Sequence, residues 1–321
     1  MTSEWHEVPL RELVGYISKG IAPSYAEEAS ETTIRVLNQK CNRNFRISYG
    51  DSRLHDTLKK KVPPERYVKP DDILINSTGA GTAGRIAQIE DVPSATTIDG
   101  HMILIRSNGK VTQKFLGYAL KAHQWEVLQL DEGSTGQTEL NRDRLLDEIM
   151  INYPVSFDEQ NAIVGTLESI DRKLIVNEQL NDNLEQQAQA IYCDMFITNA
   201  NPSWQLGRLS DLITVRYGKD HKKLADGIYP VYGSGGVMRY VEKPLYDKES
   251  VLIPRKGTLN NVMYVNKPFW SVDTMFFTEM KLPNVAKFVF HFVKSKDLAS
   301  LNAGSAVPSM TTDILLSLIH I

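Results

Sequence analysis

Cysteine is nearly absent from this chain. Only Cys41 and Cys193 occur among 321 residues, and they are too far apart to form a Cys-x-x-Cys pair. Two isolated cysteines exclude a scaffold built on disulfides and a zinc site built from cysteine ligands. Sparse use of cysteine is typical of proteins in a reducing compartment, so we expect this chain to act in the cytoplasm.

Long hydrophobic runs are also missing. No apolar stretch of the sequence approaches the ~18 to 20 residues that cross a bilayer. Residues 1–7 have neither the basic start nor the apolar core of a signal peptide. We therefore expect no membrane partner.

Motifs of the common enzyme classes are absent as well. The sequence has no Gly-x4-Gly-Lys-Ser/Thr, no His-Glu-x-x-His and no Gly-x-Ser-x-Gly, and its 7 histidines lack the spacing of metal ligands. Asn152-Tyr153-Pro154 has the wrong order for the Asn/Asp-Pro-Pro-aromatic loop of methyltransferases that act on base amines. We expect no catalytic residue, no bound metal and no cofactor.

One stretch does match a nucleotide-binding motif letter for letter. Gly79-Ala80-Gly81-Thr82-Ala83-Gly84 fits Gly-x-Gly-x-x-Gly and follows the apolar run 73–75. A dinucleotide site needs a helix that begins on this loop, but residues 85–93 alternate like a strand and end at Pro93. We predict a turn between two strands. A stand-alone enzyme that uses a nucleotide or S-adenosylmethionine is the alternative.

The sequence contains an internal repeat. Short matches occur in the same order in both halves, and their offset shrinks from 199 to 171 residues. The paired segments are 5–13 with 204–212, 72–75 with 250–253, 98–102 with 272–276, 114–115 with 287–288, and 133–136 with 304–307. Runs rich in Ile, Val, Tyr and Thr predict strands, and stretches 114–130 and 286–301 predict helices. We predict a duplicated unit of mixed α and β structure.

A long helix is predicted between the two copies, over residues 157–196. Its apolar residues and two asparagines follow the 4-3 spacing of a coiled coil. The residues of this helix seam are Ile163, Leu167, Ile170, Leu174, Asn177, Asn181, Leu184, Ala188 and Ile191. A helix that lies on one of its own domains is the alternative. The predicted division is 1–156 for a first domain, 157–200 for the helix and 201–321 for a second domain.

Charge is distributed unevenly along the chain. The formal net charge of −3 divides into −2 for residues 1–156, −6 for 157–200 and +5 for 201–321. Lys and Arg neutralise phosphates, and Arg also binds guanine through two hydrogen bonds. The candidate DNA contacts are Lys59, Lys60, Lys61, Arg85, Lys219, Lys222, Lys223, Arg255 and Lys256. For each of them, a solvated charged surface is the alternative. Arg255-Lys256-Gly257 is the strongest candidate because it matches Ser77-Thr78-Gly79 in the first copy.

Taken in order, these features resemble the specificity subunit of type I restriction-modification systems. The resemblance rests on the Trp-x4-Leu segments, the strand followed by a glycine loop, and the Gly-Ser-x-Gly segment at 133–136. It rests further on residues 154–160, Pro-Val-Ser-Phe-Asp-Glu-Gln, which lead into the helix. Segment 167–191 is similar to the central conserved region of that family. The resemblance covers nearly the whole chain.

The resemblance implies an α+β fold with two mixed α/β target-recognition domains connected by a long coiled-coil-type helix. It implies that each domain reads one half of a split site in double-stranded DNA and that the helix sets the unread gap. It also implies a chain without catalytic activity. Two modification subunits would methylate the DNA, and a separate restriction subunit would translocate and cleave it.

The C-terminal region departs from the family pattern. In the family, a second long helix follows the second domain and packs antiparallel on the first helix. Residues 309–321 do not resemble the Pro-x-x-Glu-Gln start of such a helix, so we expect a truncated C-terminus. A helix seam without its partner exposes apolar surface. We therefore expect the chain to self-associate or to be unstable without partners.

Overall fold

The computed structural model describes residues 4–79, 81–132, 139–302 and 308–320. The chain separates into two compact units, Met1–Val176 and Asn177–Ile321. The boundary lies within one continuous helix, so each half of that helix is grouped with the unit on which it packs. Within the described ranges, no helix has both the length and the apolar character that a membrane span requires.

Unit 1 combines short strands with helices. Its strands are β1 Trp5–Pro9, β2 Val14–Lys19, β3 Tyr25–Ala26, β4 Thr33–Leu37, β5 Asn42–Arg43, β6 Arg46–Ile47, β7 Arg53–Asp56, β8 Ile73–Asn76, β9 Ile86–Gln88, β10 Thr96–Ile98, β11 Met102–Ser107, β12 Asp131–Glu132, β13 Glu139–Leu140 and β14 Met150–Pro154. Its helices are α1 Gln113–Ala122, α2 Gln124–Val127 and α3 Arg142–Glu148. Helix α4, Phe157–Cys193, begins in this unit and ends in unit 2.

The centre of unit 1 is an antiparallel sheet with the strand order β2-β11-β8-β9. In β8, Ile73 and Ile75 share a buried cluster with Phe115 of helix α1. Leu74, between them, belongs to a cluster with Leu37 of a second sheet, whose order is β10-β4-β7-β3. Because successive side chains of a strand face opposite sides, an uninterrupted apolar run is buried on both faces.

Unit 2 is built in the same way. Its strands are β15 Gly207–Arg208, β16 Ile213–Tyr217, β17 Asp226–Gly233, β18 Gly236–Val241, β19 Ser250–Pro254, β20 Met263–Val265, β21 Trp270–Ser271, β22 Met275–Met280 and β23 Ile319–His320. Its helices, after the end of α4, are α5 Leu209–Leu212, α6 Ala286–Lys294 and α7 Thr312–Leu316.

The two units share one topology. The sheet β16-β22-β19-β20 repeats the order β2-β11-β8-β9. Strand β21 runs parallel to β17 as β10 runs parallel to β4, and α6 follows β22 as α1 follows β11. The predicted duplication and the predicted fold class, two mixed α/β units with a long helix, are therefore confirmed.

Backbone hydrogen bonds establish which residues of the two copies are equivalent. Gly20 N donates to Met102 O at 3.1 Å, and Gly218 N donates to Met275 O at 3.0 Å. Met102 therefore corresponds to Met275, whereas the sequence comparison paired it with Phe276. That pairing was wrong by one residue. It followed the similarity between side chains, whereas backbone hydrogen bonds set the register of the turn.

The glycine-rich segment 79–84 joins β8 to β9, which pair antiparallel. Gly79, Gly81 and Gly84 have φ values of 110°, 69° and 87°, in the region that side chains disfavour. A strand follows this turn where a dinucleotide site needs a helix. The predicted turn between two strands is therefore confirmed.

The predicted helices differ from the observed ones mainly at their ends. Stretch 114–130 contains α1 and α2, whereas in stretch 286–301 helix α6 ends at Lys294. The predicted helix 157–196 corresponds to α4, and the π-helical segment Asp194–Thr198 continues it. The repeated Gly-Ser segments at 133–136 and 304–307 lie outside the described residues.

Candidate nucleic-acid interface

Two glycines occupy equivalent positions directly after β2 and β16. A β-carbon on Gly20 would lie 2.1 Å from the carbonyl oxygen of Asp99, and one on Gly218 would lie 2.0 Å from that of Val272. Only glycine allows the chain to pass this close to the turn before β11 or β22. We call the segments that begin at these glycines, residues 20–24 and 218–224, the glycine loops.

In unit 1, the glycine loop receives two basic side chains from other segments. Lys60 donates from Nζ to the carbonyl oxygen of Ala22 at 2.8 Å. Arg66 donates from Nη1 to the carbonyl oxygen of Gly20 at 3.4 Å. Since an ammonium group has three donors and a guanidinium has five, both side chains keep donors for a ligand.

His55 joins the basic run 59–61 to the same loop. Its ring is buried, and Nδ1 accepts a hydrogen bond from the backbone N–H of Ser24 at 2.9 Å. The proton therefore resides on Nε2, which donates to the carbonyl oxygen of Lys60 at 2.8 Å. Lys59 and Lys61 are exposed on either side of Lys60.

In unit 2, the glycine loop carries its own positive charge. Lys219, Lys222 and Lys223 are exposed within it. Trp270 Nε1 donates to the carbonyl oxygen of Lys219 at 2.8 Å. Asp220 Oδ1 accepts from the backbone N–H of Lys222 at 3.0 Å, and that bond lowers the pKa of the Asp220 carboxyl. Bonds to the backbone thus shape the loop and leave its ammonium groups at the surface.

The remaining candidate contacts lie beside the turns after β8 and β19. Arg85 donates from Nη2 to the carbonyl oxygen of Gly81 at 3.4 Å, across the turn. The guanidinium carbon of Arg255 lies 5.6 Å from the ring centroid of Tyr217, the residue before a glycine loop, and Lys256 is exposed beside it. In unit 2, Arg255 therefore lies close to the start of the basic glycine loop. The contact of these basic residues with DNA stays a prediction.

The first half of α4 packs on α1 through polar groups. Lys114 donates to Glu168 Oε1 at 2.6 Å, and Tyr118 Oη donates to Asp171 Oδ2 at 2.8 Å. Burial and this hydrogen bond raise the pKa of Tyr118 well above its usual value. Burial lowers the pKa of Lys121, whose Nζ lies 3.8 Å from Asp171 Oδ2. These contacts hold the helix on unit 1.

The second half of α4 packs on α6 through aromatic groups. Tyr192 is buried, and its ring centroid lies 5.6 Å from that of Phe288 and 5.9 Å from that of His291. His291 Nδ1 lies 2.9 Å from Gln189 Oε1 and donates to it. Burial raises the pKa of Tyr192 to about 12 and lowers the pKa of His291.

The helix seam is only partly covered in the structure. Four of its apolar residues are 50% to 59% exposed: Ile170, Leu174, Leu184 and Ile191. Asn177 and Asn181 are exposed as well, whereas Ile163, Leu167 and Ala188 are half-buried. An apolar stripe remains accessible beside the faces that pack on the two units, and its pairing with another helix stays a prediction.

Reactive side chains are not gathered into a centre within the described ranges. There, no group of three or more His, Cys, Asp or Glu residues is placed to hold a metal ion. Cys41 is buried, and burial raises the pKa of its thiol. Its thiolate form, which is the nucleophile, is therefore disfavoured.

Two residues that shape this surface, Gly20 and His55, act through contacts that the sequence does not reveal. The steric role of Gly20 depends on Asp99, which is far away in the sequence, and the role of His55 depends on Ser24. The sequence does indicate that the two glycines are equivalent, because each copy of the repeat has a glycine directly after its second strand. The Tyr118–Asp171 contact has no such indication in the sequence.

Comparison with known proteins gives consistent matches. A family model described as the type I restriction modification DNA specificity domain matches residues 2–186 and 201–319. A putative type I specificity subunit of Mycoplasma genitalium is 26% identical over 179 residues, 49% of this chain and 45% of that protein. The match thus spans about half the length of that curated relative.

Solved structures resemble the chain over most of its length. The crystal structure of a type I restriction-modification S subunit from M. genitalium has a TM-score of 0.53 at 17% identity and covers 99% of this chain and 84% of that one. The HsdS subunit of Thermoanaerobacter tengcongensis gives a TM-score of 0.40 at 13% identity, covering 98% of this chain and 84% of that one. At these identities, the first match supports the fold.

Proposed function

Because the chain belongs to the type I restriction modification DNA specificity family, we propose that it is a sequence-specific DNA-binding subunit whose two units each read one half of a split target. It directs methylation and cleavage that other subunits perform, and it has no catalytic role of its own. Its partners are double-stranded DNA, two modification subunits and a restriction subunit. It acts in the cytoplasm, where that DNA is found.

One observation carries this proposal: basic side chains lie at both glycine loops, but they come from different segments. In unit 1, Lys60 and Arg66 reach the loop from outside it. In unit 2, Lys219, Lys222 and Lys223 belong to the loop. The shared backbone does not require this agreement, whereas a polyanion bound at the same edge of both units favours it.

The central helix has the opposite character. Residues 157–200 carry a net charge of −6, which disfavours contact with DNA phosphates. The half-exposed apolar side chains of the helix seam are suited to another helix instead. We assign this face to protein partners.

A nucleotide-dependent enzyme is the competing function. It would use segment 79–84, but the strand that follows this turn offers no helix N-terminus for a pyrophosphate. Calorimetry of the purified chain with NAD and with S-adenosylmethionine separates the two functions. Stoichiometric binding of either ligand contradicts the proposal.

Fluorescence anisotropy with labelled duplex DNA at several KCl concentrations tests the DNA contact. The test variant replaces Lys219, Lys222 and Lys223 with alanine. The control replaces three lysines elsewhere on unit 2 with alanine: Lys248, Lys281 and Lys287. Lys248 precedes β19 and Lys281 follows β22, at the strand ends remote from the glycine loop.

We expect the test variant to bind more weakly and to show a shallower dependence of log K on log [salt]. Each lost phosphate contact reduces the slope by about 0.9. The control variant carries the same change in net charge and should keep the slope of the wild-type chain. Equal slopes in the two variants would mean that the glycine loop does not meet the phosphates.

A further inference from the structure

The residues that directly follow β8 and β19 make equivalent backbone hydrogen bonds but have different side chains. Ser77 N donates to His101 O at 2.8 Å, and Arg255 N donates to Thr274 O at 2.9 Å. The carbonyl oxygen of Ser77 accepts from the backbone N–H of Leu140 at 2.7 Å, and that of Arg255 accepts from Met310 at 2.9 Å. In both units the flanking residues form a β-bridge, Thr78 with Glu139 and Lys256 with Ser309. Ser77 and Arg255 are therefore equivalent.

The two equivalent side chains also use equivalent anchors. Ser77 Oγ donates to the carbonyl oxygen of Gly100 at 3.4 Å. Arg255 donates from Nε to the carbonyl oxygen of Asp273 at 3.2 Å. The serine side chain ends at its anchor and is fully buried, whereas the arginine continues beyond it.

The free end of Arg255 has the geometry of a base-reading group. With Nε engaged, its two terminal nitrogens have no hydrogen-bond or ion-pair partner among the described residues. The guanidinium lies over the ring of Tyr217, whose own ring packs edge-on against Phe276 at 5.1 Å. A planar fork held in this way matches the O6 and N7 acceptors of guanine.

Unit 1 has no such fork at the equivalent place. His101, which corresponds to Thr274, is exposed, and its Nδ1 lies 2.8 Å from Thr78 Oγ1. Lys19, which corresponds to Tyr217, is paired with Glu139. Unit 1 therefore offers an imidazole, whose Nε2 has no hydrogen-bond partner among the described residues, where unit 2 offers an arginine.

We propose that Arg255 reads a guanine in the half-site of unit 2, and that His101 occupies the corresponding reading position of unit 1. The bases read in the two half-sites then differ because equivalent regions of the two backbones carry different side chains. This inference rests on the proposed function, since it requires that both edges face DNA.

Selection of binding sites from random duplex DNA by the 321-residue chain tests this inference. Arg255→Lys keeps the positive charge and removes the fork, and His101→Ala changes the reading position of unit 1. The control is Lys248→Ser, at the opposite end of β19 from Arg255. Arg255 and His101 side chains are accessible at the surface, so their replacement spares the core.

With Arg255→Lys, we expect the preference for guanine at one position of one half-site to fall roughly 5- to 150-fold, while the other half keeps its bases. With His101→Ala, only that other half should change. Lys248→Ser should alter neither half.

Three results would be decisive against these assignments. A wild-type chain that selects no sequence contradicts the proposed function itself. If the wild-type chain is selective and its base preferences survive Arg255→Lys, Arg255 does not read a base, and the inference alone is overturned. A change in both halves caused by either variant overturns it as well.

Discussion

Gln160 Oε1 accepts a hydrogen bond from the backbone N–H of Thr112 at 2.8 Å, while its Nε2 donates to the carbonyl oxygen of Pro154 at 2.9 Å. Thr112 is the N-cap of α1, so one buried side chain joins the start of α1 to the start of α4. This contact gives a physical reason for the glutamine of the Glu-Gln pair at the beginning of the long helix.

Replacing Gln160 with alanine should destabilise unit 1. The change leaves the partly buried N–H of Thr112 and the buried carbonyl of Pro154 without these partners, which costs up to about 1–3 kcal/mol for each group. Urea unfolding followed by circular dichroism measures the loss. Gln179→Ala, at an exposed position of the same helix, is the control and should change stability by less than about 0.5 kcal/mol. Equal stability of the two variants would contradict the structural role of Gln160.

The glycines at the start of the glycine loops should not tolerate alanine. Gly20→Ala and Gly218→Ala each place a β-carbon near 2 Å from a backbone carbonyl, so we expect a loss of about 1–3 kcal/mol or failure to fold. Gly165→Ala and Gly235→Ala are matched controls, because nothing lies within 4 Å of the added carbon. The melting temperatures of the four variants, measured by thermal unfolding, test this expectation. Similar melting temperatures throughout would contradict the close approach.

The stability of unit 2 should depend on pH through His291. Burial lowers the pKa of His291 in the folded chain, so folding favours the neutral ring. Its contribution is present above the unfolded pKa of about 6.5 and is lost as the pH falls through and below that value. Between pH 7.5 and 5.5, the wild-type chain should lose more stability than His291→Gln. His6→Gln, at an exposed site of unit 1, should behave as the wild type does. If the stability of His291→Gln depends on pH as that of the wild-type chain does, His291 is not the cause of the pH dependence.

The helix seam should mediate association. Leu174 and Leu184 are half-exposed, so changing both to glutamate should leave the fold intact and weaken contacts between helices. Sedimentation velocity should show concentration-dependent association of the wild-type chain and less of it in the variant. Val176→Glu, which is equally exposed but outside the seam, is the control. A wild-type chain that stays monomeric at every concentration rules out self-association.

Much of the fold could be predicted from sequence because its signals are local. The run at 73–75 predicts a buried strand, and the absence of proline over 157–196 permits a long helix. The faces by which α4 packs on the units escaped prediction. Glu168 and Asp171 bind α1 through polar groups, which a search for apolar periodicity passes over.

The candidate interface was predictable only in part, for a related reason. Composition identifies basic residues, and the repeat singles out Arg255. Whether a basic side chain meets a glycine loop, as Lys60 does through Ala22, depends on contacts between residues that are far apart in the chain. The anchor of Arg255 on Asp273 depends on such a contact as well.

The central claim is that this chain reads a split DNA target with two equivalent units. Its most direct test is the selection of binding sites by the wild-type chain from duplexes that carry a long random region. The claim predicts two specified segments separated by an unread gap of constant length. A single uninterrupted motif, or no sequence preference at all, would contradict it.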